Sequence, residues 1–100
     1  MIIKKKLAAD LSKLIENIVL KYESTGIFNY VECILASLEG IQKLLEHEPI
    51  ETEKILKDIA GLGYMTLDNY DFSISESGNQ IFRMGSRIRN YLKIRKYIKI

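Results

Sequence analysis

One cysteine, one proline, one histidine and no tryptophan restrict what this 100-residue chain can be. Cys33 has no partner for an internal disulfide, so the fold has to rest on an apolar core. Its neighbours in YVECILASL include no base that could stabilise a thiolate, which predicts a core thiol in a reducing, cytoplasmic setting. His47 stands with Glu46, Glu48 and Glu51. That group lacks the paired spacing of metal ligands and reads as a solvated helix end, so no metal site is expected. Asn69, Asp71, Ser73 and Ser75 alternate like the start of a calcium loop, but Ile74 takes the place of the turn glycine and no glutamate follows at the twelfth position. Ser73, Ser75 and Ser77 have no base to serve them, and Gly61 and Gly63 lack the rest of a phosphate loop. The reading is therefore non-enzymatic: no catalytic residue and no cofactor.

Long uncharged runs are also missing. No window of eighteen residues is free of charge, which excludes a membrane-spanning segment, and Asp10, Lys13 and Glu16 interrupt what would be the apolar core of a signal peptide. What the chain does have is ordinary globular composition, 47% hydrophobic and 28% charged, and a length that fits one domain. Its net charge of +2 hides an uneven distribution. Residues 1–23 carry +2, residues 24–71 carry −6 and residues 72–100 carry +6. An acidic middle followed by a basic end points to a nucleic-acid surface, or to two segments that face each other or a partner copy.

Leu7, Leu11, Leu14, Ile15, Ile18, Val19 and Tyr22 recur at three- and four-residue steps and predict a first amphipathic helix over about 4–23. Phe28, Val31, Ile34, Leu35, Leu38, Ile41, Leu44 and Leu45 predict a second, over about 27–47, either continuous through Gly40 or broken there. Pro49 starts a third, about 49–60, burying Ile55, Leu56, Ile59 and Leu62, with Gly61 and Gly63 as its terminators. Tyr64, Met65 and Leu67 then read as a strand, Asp68-Asn69 as a turn, and Tyr70, Phe72 and Ile74 as a second strand of period two, giving a hairpin over about 64–74. Ser75 caps a last helix, about 76–92, containing Ile81, Phe82, Met84, Ile88, Tyr91 and Leu92. Residues 92–100 fit a helix end or a strand equally well.

The run ILKDIAGLGYM (55–65) followed by FSISESGNQIF (72–82) resembles winged helix-turn-helix regulators of the MarR and PadR type. Leu56, Ile59 and Leu62 hold the apolar spacing of such a recognition helix, Gly63-Tyr64-Met65 makes its exit, and Ile74 to Gly78 occupies the segment that closes a wing. The resemblance implies a mainly α, winged-helix-like single domain with one short β-hairpin, acting as a small DNA-binding transcriptional regulator and forming a homodimer. Ile50, Glu51, Glu53, Lys54 and Lys57 would face the major groove. Because phosphate contacts need cations, double-stranded DNA would rest on Lys54, Lys57, Arg83, Arg87 and Arg89, with Asn69 as a neutral hydrogen-bonding contact. Ile88, Tyr91 and Leu92 are the expected dimer or partner interface. The alternative is an all-α four-helix arrangement: an adaptor or inhibitor that binds another protein through the acidic middle or the basic C-terminal helix.

Overall fold

The computed structural model describes residues 2–22 and 28–97. Its elements are α1 (Ile2–Tyr22), α2 (Phe28–Glu46), α3 (Thr52–Asp68), the single-turn α4 (Tyr70–Ser73) and α5 (Glu76–Tyr97). The four long helices form a ring in which α1 packs on α2 and α5, and α3 packs on α2 and α5, with no diagonal contact among the described residues. Lys4 near the start of α1 bridges to Glu48 just past α2 at 2.7 Å, and Arg95 near the end of α5 reaches the same carboxylate at 3.8 Å. At the opposite end the Tyr22 and Phe72 rings lie 5.6 Å apart. Each helix is thus antiparallel to both neighbours, the up-down-up-down topology of a four-helix bundle with short connections. This single helical domain matches the all-α alternative.

Its core follows from the apolar lines. Leu7, Leu11, Leu14, Ile18 and Tyr22 of α1 face Val31, Ile34, Leu35, Leu38, Ile41 and Leu45 of α2 and Ile81, Met84, Ile88, Tyr91 and Leu92 of α5, all buried. Each such side chain stabilises the fold by roughly 1.5–3 kcal/mol when fully buried. Cys33 is exposed, a correction to its core reading. The helical phase of α2 directs Val31, Ile34 and Leu35 inward, and Cys33 falls on the outer side. Leu38 and Ile41 keep that phase through Gly40, so α2 is one helix without the break a helix-turn-helix needs. Pro49 lies in the connection, and α3 begins only at Thr52.

The winged-helix expectation is overturned, because the described residues contain no strand. Where a hairpin over 64–74 was expected, α3 continues to Asp68, with Gly61 and Gly63 in its interior, and α4 follows. Two physical causes are visible. The first is that Ile55, Ile59, Leu62 and Thr66 form one buried helical line at steps of four, three and four, and the Thr66 hydroxyl donates to the Leu62 carbonyl at 2.8 Å rather than to solvent. The second is that the backbone of 69–75 is satisfied locally. Asn69 Oδ1 accepts from the Phe72 amide at 3.1 Å, the Ser73 amide donates to the Asn69 carbonyl at 2.9 Å, and the Ile74 amide donates to the Tyr70 carbonyl at 3.1 Å. These groups serve a helical turn and leave nothing for a strand ladder. Of the supposed alternating face only Phe72 is buried, while Tyr70 and Ile74 are exposed.

Ser75 does cap the last helix, its Oγ accepting from the Gly78 amide at 3.1 Å. That helix runs on to Tyr97, so 92–97 is helical, and residues 98–100 lie outside the described residues. Gly78 is where α5 folds back onto α4: a Cβ there would sit 2.3 Å from the Phe72 carbonyl oxygen. Gly40 meets nothing within 4 Å. In urea denaturation, Gly78→Ala should therefore lower stability by about 1–3 kcal/mol, whereas Gly40→Ala should raise it by about 0.5–1 kcal/mol. Equal effects of the two substitutions would contradict this packing.

Candidate functional site

The ring order turns the uneven sequence charge into faces. α1 and α5 are neighbours, and together they carry eleven Lys and Arg against Asp10, Glu16 and Glu76, a net +8. Residues 28–73, which contain the neighbouring α2 and α3, carry nine acids against Lys43, Lys54 and Lys57, a net −6. Along the α1/α5 seam runs a groove of about 290 Å³. Buried Leu14 and Met84 form its floor, and Lys13, Arg83 and Arg87 stand along it with Asn17 and Gln80. Asp10 clamps one of these cations, its Oδ2 accepting from Arg87 Nη2 at 2.8 Å.

The predicted site residues do not gather in one place. Arg83 and Arg87 share the α1/α5 groove, but Arg89 lines a separate small cleft between α3 and α5, with Ile59, Gly63 and Phe82. Lys54 and Lys57 are exposed on α3, and Asn69 is occupied as the cap of α4. Ile88, Tyr91 and Leu92, expected at a dimer or partner interface, lie inside the bundle at 1%, 3% and 4% exposure. The helical period that drew attention to them points them toward the other helices of the same chain. Among the described residues no group of three or more His, Cys, Asp or Glu could hold a metal ion. His47 lies on the surface with Nδ1 3.3 Å from the Pro49 carbonyl oxygen. No helix among the described residues is long and apolar enough to cross a membrane.

A second surface lies on α3, whose continuation through 64–68 brings its exposed apolar residues into one line. Leu56, Ala60, Tyr64 and Leu67 recur at steps of four, four and three on the exposed side of α3, flanking the buried line, with Leu56 toward Leu92 and Arg95 of α5. Tyr64 is 72% exposed and Leu67 59%, and Tyr70 and Ile74 continue the apolar exposure beyond the helix at 72% and 59%. Leu56, expected in the core, is on this side at 38%. The signal that could have found it is a helix with two apolar lines, one more than its own bundle can bury.

No protein-family model matches the chain, and comparison with curated proteins and with solved structures also finds no match.

The hydrogen bond from Arg87 holds the Asp10 carboxyl below its ordinary value of 3.8; the charges of Arg87, Lys6 and Lys13 act in the same direction, against an opposing desolvation effect. A carboxylate lowered on folding contributes stability above its unfolded value, and that contribution is lost as pH falls through the folded one. An NMR titration of Asp10 should give a midpoint below 3.8, and Arg87→Gln should move it upward. An unchanged midpoint in that variant would remove Arg87 as the cause.

Proposed function

We propose that this chain is a non-enzymatic helical adaptor that binds another protein, receiving an acidic, partly apolar segment along the α1/α5 groove. The observation carrying this reading is the side-by-side placement of the two basic helices around an apolar floor formed by Leu14 and Met84. A cluster of cations raises the local concentration of an acidic partner and steers its approach. The floor supplies apolar contact that orients the partner, as at other protein interfaces where a desolvated centre is ringed by polar groups. A phosphate backbone has no use for such a floor, and Asp10 already neutralises Arg87 within the groove. These points favour an acidic protein segment over nucleic acid.

Lys13 and Arg83 are exposed and outside the Asp10–Arg87 pair, so both can be reversed with the bundle left intact. Tagged wild-type protein and Lys13→Glu/Arg83→Glu would be used for capture from nuclease-treated lysate of the source cells. The expected outcome is one stoichiometric protein on the wild type, released as salt rises toward 1 M, where the screening length falls to about 3 Å, and absent from the variant. Equal recovery on both proteins, or recovery of nucleic acid alone without nuclease, would contradict the proposal.

A further inference from the structure

The outer line of α3 is a face of different chemistry from the basic groove, and it stands or falls independently of it. We infer that this face is occupied by a second copy of the chain, α3 packing antiparallel on α3 about a two-fold axis between Ala60 and Tyr64. The stripe is complementary to itself when reversed. Residues eleven apart on a helix are three turns apart and lie along one edge. Leu56 and Leu67 are eleven apart and mark one edge of the stripe; Lys57 and Asp68 are eleven apart and mark the other. In an antiparallel two-fold pair, like edges face each other, so residue i of one copy meets j of the other while j meets i. Leu56 of each copy then lies against Leu67 of the other, and Lys57 against Asp68, with Ala60 and Tyr64 between them. Both leucines are at least partly solvated in the single chain, and neither Lys57 nor Asp68 is in an ion pair among the described residues.

Tyr70 and Ile74, exposed beyond the C-terminal end of α3, would extend the contact toward the N-terminal part of the partner's α3. The basic groove opens between α5 and α1, and α1 lies diagonally across the ring from α3.

Sedimentation velocity over a concentration series, on the full chain at physiological salt, reads the proposal directly. Wild type should show a reversible species of twice the 11.6 kDa chain mass. Leu67→Glu, at an exposed position, should keep the helical circular dichroism and raise the dissociation constant about tenfold or more, since the change counts twice across a two-fold axis. Lys57→Asp and Asp68→Lys should each weaken self-association, and mixing the two variants should restore a dimer. The two positions are separated by about 16 Å along one helix, so recovery on mixing can arise only between chains. A wild type that stays monomeric up to its solubility limit, a dimer indifferent to Leu67→Glu, or variants that fail to recover on mixing would each overturn the proposal. Those results would leave partner capture by the α1/α5 groove untouched.

Discussion

The continuity of α3 is the constraint on which the rest of the structure depends. Ile55, Ile59, Leu62 and Thr66 present one unbroken buried line to the bundle. Following that line keeps the chain helical through two glycines that would otherwise be natural stops. Helix propensity favours ending at Gly61 by roughly 1 kcal/mol. Burial of Leu62 and the internally bonded Thr66 on the far side outweighs it, since a fully buried leucine alone is worth about 1.5–3 kcal/mol. Once α3 reaches Asp68, only a single-turn helix fits before α5, and the return path closes the four-helix ring.

Closing the ring also sets the electrostatics. The order α1, α2, α3, α5 brings the first and last long helices side by side, so two basic segments far apart in sequence become one face. The acidic connection after α2 is drawn to the bundle's basic end, where Glu48 meets Lys4 and Arg95. The Lys4 hydrogen bond holds the Glu48 carboxyl below its ordinary value, and the charges of Lys4, Arg95 and His47 add to that effect. These exposed pairs contribute little stability individually. Their role is in register, tying three chain segments together at one end while the Tyr22 and Phe72 rings pack at the other.

Much of the fold is legible in the sequence, and each departure has its own physical cause. The apolar periods located α1, α2 and the core of α5, and Ser75 was correctly read as the cap of the last helix. The segment 64–74 was misread because Tyr70, Phe72 and Ile74 alternate, and alternation in a short run does not distinguish a strand from one helical turn flanked by exposed apolar residues. Asn69 was recognised as turn-forming, but an Asn that bonds the backbone three residues on serves a helix cap as readily as a hairpin. The basic groove could not be read from charge counts alone, since it needs the adjacency of α1 and α5. The outer stripe of α3 becomes legible only once 64–68 is helical, because Leu56 and Ala60 share a helical spacing with Tyr64 and Leu67 only on a continuous α3.

Backbone chemical shifts and amide exchange across residues 60–75 measure the central claim most directly. Helical Cα shifts without interruption from Thr52 to Asp68, with slow exchange at Leu62 and Thr66 and a helical turn at 70–73, are the expected result. Extended-strand shifts over 64–74 with cross-strand contacts between the two halves of that segment would contradict the account. They would take with them the ring closure, the paired basic helices and the outer face of α3.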